Sequence, residues 1–257
     1  MSKKPATKKK APAKKAAKKK ATVKSSAKKT ARSIALPQVD PADKRRAKRL
    51  RDMLALHYPD AHCELNYTAP HELLIATILS AQCTDVAVNK ATPALFKKFP
   101  TPADYAKASP EAIEPYVKTL GFYRNKAKSV HAAMSAVESE FGGQVPSTME
   151  ELLTLRGVAR KTANVVLSNA FNINLGFVVD THVMRLSRRL GLIDNEEEGD
   201  PVKIEKKLMA LFAQKDWGLL SHLMIFHGRR ACKARMASCA DHPICKKFGE
   251  SCELCRS

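Results

Sequence analysis

Lys161 sits in the stretch LRGVARKTANVV (Leu155 to Val166), just past a tight turn that joins two helix-like runs. The backbone N–H groups of such a turn, and of the first residues of the helix that follows, lack intrahelical acceptors. They suit a phosphate oxygen. The positive end of a helix dipole disfavours an ammonium ion there, and partial burial acts in the same direction, toward a neutral, nucleophilic amine. The ordinary alternative for Lys161 is a solvated charge. Asp180 follows the apolar residues Phe177, Val178 and Val179 and immediately precedes a helix starting at Thr181. It reads either as an N-cap or as a carboxylate partner for an amine or a developing cation.

A second group of reactive side chains closes the chain. Five of the seven cysteines lie in the last 26 residues, as Cys232-x6-Cys239-x5-Cys245-x6-Cys252-x2-Cys255. No apolar run approaches the roughly 20 residues that span a bilayer, and no secretory leader is evident. A soluble protein of a reducing compartment is expected. Such a cysteine density there points to a metal site rather than to disulfides. Cys63 and Cys83 stand apart and read as small buried hydrophobes.

The elements that must hold these residues read as helices. Apolar positions recur at helical spacing after Pro41, after Pro70 and, past a turn at Gly121, along a long helix that stops at Gly142, with Pro93, Pro100, Pro102, Pro110 and Pro115 as punctuation between helices. Ser147 with Glu150 reads as a capping box before a short helix to Leu155. The second helix of the hairpin is expected over Lys161 to Phe171, with Ala163, Val166, Leu167 and Ala170 on its core face. No alternating strand pattern is present, so the expected class is all-α, with about ten helices. The chain has 257 residues and a net charge of +20. Residues 1–33 hold 13 Lys, one Arg and no acidic residue. That Lys/Ala/Pro-rich tail offers nothing to bury and is expected to be disordered. Its charge suits nucleic acid, through release of condensed counterions, with a solubilising or targeting role as the alternative.

Four blocks in order, LSAQCTDVAVNKAT, LRGVARKTANVVLSNAF, VVDTHVMRLSRRLG and HGRRACKAR, resemble the endonuclease III family of bifunctional DNA glycosylases. The resemblance runs from about Lys48 to about Cys239. It implies a helix-hairpin-helix DNA glycosylase fold with two helical domains and a C-terminal iron–sulfur loop. The implied division is a tail (1–36), a six-helix barrel domain with the hairpin (63–173), and a second helical domain (37–62 with 174–257) carrying the cysteines. The family's catalytic lysine falls on Lys161 and its catalytic aspartate on Asp180. The implied reaction removes oxidised or ring-saturated pyrimidines from duplex DNA and cuts abasic sites by β-elimination. The residues that fill the hole left by the extruded base map to Gln82 and Phe122, where leucine is usual at the second place. Gly157 and Ala159 map to the phosphate-binding hairpin, in which Arg156 replaces a proline and Ala159 a second glycine. An alanine is costly there if the position needs positive φ or a close phosphate.

Relatives carry a [4Fe–4S] cluster on cysteines spaced x6, x2 and x5, and only the first interval is kept. His242 and Phe248 stand at the third and fourth places. Cys232 and Cys239 are the expected ligands, with Cys245 and either Cys252 or Cys255; zinc is the alternative metal. Arg229, Arg230, Lys233 and Arg235 become candidate phosphate contacts on the loop the cluster closes. The resemblance further implies a monomer acting on double-stranded DNA that contains a damaged pyrimidine or abasic site. It would act without a membrane, in a bacterial cytoplasm at the nucleoid or in a eukaryotic nucleus. A non-catalytic or altered-specificity DNA-binding protein is the competing reading, and it would require neither Lys161 nor Asp180.

Overall fold

Proline sets the start of half the helices, because its fixed φ suits the first turn and its missing N–H is not needed there. A computed structural model of the chain describes residues 35–235, 239–249 and 252. Among them the order is α1 (Pro41–His57), α2 (Pro70–Leu79), α3 (Asp85–Lys98), α4 (Pro102–Lys107), α5 (Pro110–Val117), α6 (Tyr123–Phe141), α7 (Met149–Leu152), α8 (Arg160–Ala170), α9 (Thr181–Arg189), α10 (Pro201–Leu211), α11 (Trp217–Arg230) and α12 (Pro243–Phe248). A single 3₁₀ turn spans Gln214–Asp216. None of the described residues forms a strand, and none of the helices is long and apolar enough to cross a membrane. The lysine-rich tail, residues 1–34, lies outside the described residues.

α2 is the central strut. Every residue from Leu73 to Leu79 is buried, as its apolar character on all faces requires. It packs against α6 and α8, while α4 and α5 lie against α6. α6 contributes Ala127, Val130, Ala133, Met134 and Val137 to this core, and α8 contributes Ala163, Val166 and Leu167. One continuous apolar cluster therefore runs from Leu65 to Leu167, each fully buried leucine stabilising it by about 1.5–3 kcal/mol. α9 packs on α11, and α1 and α8 also touch α11. The start of α8 and the start of α9 line one cleft.

Three local expectations need correction. Pro93 and Pro115 do not punctuate; they lie inside α3 and α5. Proline inside a helix costs about 3 kcal/mol, but burial of Val88, Ala91, Thr92 and Leu95 holds α3 together across it. The cap before the hairpin is Thr148, not Ser147. Its hydroxyl accepts from the Glu151 N–H at 3.3 Å and bonds the Glu151 carboxylate at 2.7 Å. The same chemistry works one residue later because Met149 and Leu152 are then the buried pair. At Gly142 the stop is as read: φ is +60°, and the Gly143 N–H closes the end on the Val137 carbonyl at 2.9 Å.

Candidate active site

The hairpin between α7 and α8 is tight at one residue. Gly157 has φ +83°, and a Cβ built there would stand 3.1 Å from Ser129 Cβ. Both the conformation and the space demand glycine. The Val158 N–H donates to the Leu155 carbonyl at 3.1 Å, closing the turn. Ala159, by contrast, has φ −94° and ψ 170°, ordinary extended backbone. The strain that an alanine in place of glycine raised as a possibility is therefore absent. Lys161 is the second residue of α8 and stands exposed. Its neighbour Arg160 fixes the helix start, with Nε donating to the Glu205 carboxylate of α10 at 3.0 Å. The Asn164 amide joins the same carboxylate at 3.2 Å.

Asp180 is the N-cap of α9, and its Oδ1 accepts from the Val183 N–H at 2.8 Å. It also lines a cleft of about 1050 Å³ together with Lys161, Gln82, Cys83, Asp85 and Arg229. The amine and the carboxylate, from the starts of two different helices, thus face one cavity. A smaller cavity of about 110 Å³ shares Lys161 and Asp180 and reaches Val165, Val178 and His222. Burial, with a contribution from His62, pushes the His222 imidazole down to about 4, so it is neutral near pH 7.

Gln82 and Phe122 stand out by backbone rather than by partners. Their φ values are +55° and +57°, and Asn172 is the only other non-glycine residue with positive φ among those described. Such a conformation costs on the order of 1–3 kcal/mol unless its surroundings fix it. Both side chains are exposed, and Phe122 keeps 68% of its surface open to solvent. An exposed phenylalanine on strained backbone has no packing rationale.

Arg229 is not a free loop cation. It pairs with Glu64, and its Nη2 lies 2.7 Å from Asp85 Oδ2, in the cleft wall. Sequence reading missed Glu64, Asp85 and His222. Asp85 was within reach, as the first residue of a helix inside the LSAQCTD block; nothing marks Glu64. Arg230 stacks over the Phe226 ring at 3.8 Å and is exposed, as are Lys233 and Arg235.

Cys232, Cys239, Cys245 and Cys252 are all buried, between 0 and 2% exposed. The Cys232 thiol is pulled down to about 5 by hydrogen bonds from Cys245, Arg189 and Cys239, against the opposing effect of burial. Arg189 Nη1 donates to Cys232 Sγ at 3.2 Å and lies near Cys239 and Cys252 as well. His227, which no spacing pattern marks as a ligand, places Nε2 3.3 Å from Cys245 Sγ. The ligand atoms of His227, Cys232 and Cys245 lie within 4.8 Å of one another. Three buried sulfurs near one guanidinium, with the buried Cys245 sulfur beside Cys232, fit a thiolate-held metal centre. His242, at the place of the missing family cysteine, caps α12 instead and stacks on Tyr58. Cys255 lies outside the described residues.

Comparison with known proteins agrees with this geometry. Residues 75–214 match the model of the HhH-GPD superfamily of base excision DNA repair proteins. The chain is 51% identical to endonuclease III of Synechocystis sp. over 198 residues, 77% of this chain and 89% of the relative. It is similar to a trapped endonuclease III–DNA covalent intermediate, with a TM-score of 0.74, 42% identity, and coverage of 79% of this chain and 94% of that one. A non-covalent endonuclease III–DNA complex matches with a TM-score of 0.75 and 41% identity, covering 81% and 95%.

Proposed function

The chain belongs to the endonuclease III family of the HhH-GPD base excision repair superfamily, DNA glycosylases with lyase activity, and we propose how its residues divide that work. The observation that carries the proposal is the convergence of Lys161 and Asp180 on one cleft, flanked by Gln82. A damaged base is poorly stacked or paired, so extruding it costs less than extruding a normal one. The Lys161 amine attacks C1′ of the extruded nucleotide, and the glycosidic bond breaks with its electron pair leaving on the base. Asp180 stabilises the positive charge that develops on the sugar and assists the proton transfers. The sugar ring then opens at C1′–O4′, O4′ taking a proton, to give a Schiff base that acidifies the C2′ proton, and β-elimination breaks the C3′–O bond. Hydrolysis from Lys161 then leaves an α,β-unsaturated aldehyde at the 3′ end of the upstream fragment.

Gln82 and Phe122 enter the hole in the duplex, Phe122 stacking on a base. The backbone N–H groups around Gly157 and Ala159 hold one phosphate, and Arg230, Lys233 and Arg235 hold others. Arg229 serves the cleft through its ion pairs with Glu64 and Asp85, and reaches phosphate only if it leaves them. Cys232, Cys239, Cys245 and Cys252, all buried, would hold a [4Fe–4S] cluster. Bound there, it would cross-link the C-terminal loop rather than supply bond-breaking chemistry. About four irons and four sulfides per chain are expected. The apolar cluster whose buried members run from Leu65 to Leu167 supports a barrel domain at 63–173 and a second domain from 37–62 and 174–257. The enzyme acts as a monomer on DNA, at the nucleoid of a bacterial cell, as its bacterial relatives suggest.

The substrates we infer are oxidised or ring-saturated pyrimidines and abasic sites. Duplexes carrying one dihydrothymine, one abasic site or no lesion test this. The first two should be cut at the lesion and the third left intact. Cutting of the abasic duplex alone would overturn the pyrimidine specificity.

A further inference from the structure

Cys83, in the cleft wall, and Lys126 behind it have no part in this reaction. Lys126, on α6, is only 5% exposed, and its Nζ donates to Cys83 Sγ at 2.9 Å. Cys83 is half-buried and faces the same cleft as Lys161 and Asp180, next to Gln82. A cation at hydrogen-bond distance is the common environment of reactive cysteines, because the thiolate is the nucleophile. Cys63 provides the contrast inside the same chain. Its thiol is pushed up to about 11, chiefly by burial, with Asp85 and Glu64 adding to the effect.

The cleft also generates a partner for such a sulfur. On the reading of Lys161 as the lyase amine, each turnover leaves an aldehyde conjugated to a C2′=C3′ double bond, a soft electrophile. We propose that Cys83, paired with Lys126, is a covalent trapping site for α,β-unsaturated aldehydes, the first of them the enzyme's own cleavage product. The step balances without an oxidant. The sulfur lone pair forms an S–C3′ bond, and the C2′=C3′ π pair shifts toward the carbonyl as an enolate. C2′ then takes a proton from the Lys126 ammonium, which is left as a neutral amine. The product is a saturated aldehyde joined to the protein by a thioether, which hydrolysis of the Lys161 Schiff base does not release. The chain would then stay attached to the 3′ end of the upstream strand until the addition reverses.

The test takes the full chain and a duplex with one abasic site through complete cleavage, then adds borohydride. Reduction of the aldehyde locks the thioether against reversal, and nuclease and protease digestion with mass spectrometry locates it. The five-carbon sugar remnant should be found on the Cys83 peptide in about tenfold excess over Cys63. Cys83→Ser should remove it, and Lys126→Met should lower it. Complete cleavage with unmodified Cys83 overturns the proposal. If no cleavage occurs, it is the lyase reading that has failed, and a parallel arm with crotonaldehyde decides: preferential labelling of Cys83 supports the site, and equal labelling of Cys83 and Cys63 overturns it. Because Lys126 is buried, this comparison within the wild-type chain holds even where Lys126→Met does not fold.

Discussion

Asp180 caps α9 and, in the proposed mechanism, also meets the sugar cation, and the two tasks can be separated. Asparagine caps a helix about as well as aspartate, so Asp180→Asn should keep the bond to the Val183 N–H and the thermal stability of the fold. It removes the charge that meets the sugar cation, and base release should fall on the order of 10²–10⁴-fold. Asp180→Ala should lose the cap as well, at about 1 kcal/mol. Single-turnover release from a dihydrothymine duplex, beside urea denaturation, reads both effects. Wild-type release by Asp180→Asn would leave the residue a cap only. Lys161 and Asp180 were legible in the sequence because each sits at a helix start inside an ordered local motif. The partners of Arg229 were not, since Glu64 is 165 residues away and Asp85 144. Nor was the pairing of Cys83 with Lys126, which depends on how α6 meets the end of α2.

At the scale of the element, the hairpin is the part whose geometry is most constrained. Gly157→Ala would force an L-residue to φ +83° and press its Cβ to 3.1 Å from Ser129. A loss of about 1–3 kcal/mol is expected, read as a lower urea midpoint, together with weaker binding of an abasic duplex because the turn's N–H groups shift. An unchanged midpoint would mean that the turn relaxes freely. Periodicity located most helices, since their buried faces repeat at 3.6 residues, and prolines marked six of their starts. It failed where two local signals compete. Ser147 and Thr148 are both good caps, and only the burial of Met149 with Leu152 selects the second. Pro93 reads as a breaker, and only the core behind α3 shows why it is not.

For the molecule as a whole, charge is the dominant feature, and it is uneven: 14 of the net 20 positive charges lie in residues 1–33. Each phosphate neutralised by a lysine or arginine contributes a slope of about 0.9 in log affinity against log salt. Deleting residues 1–33 should therefore weaken binding to undamaged duplex and flatten its salt dependence, measured by fluorescence anisotropy, while single-turnover chemistry at saturating enzyme stays the same. An unaltered slope would assign the tail to another partner. The amine in the cleft matters most. Borohydride added to wild-type protein with a duplex containing one abasic site should reduce the Schiff base and yield a denaturation-resistant protein–DNA complex, joined through Lys161. Lys161→Ala should bind the same duplex and give no such Lys161-linked complex and no strand cleavage; a trapped, cleaving Lys161→Ala would show that another amine is the nucleophile and contradict the assignment.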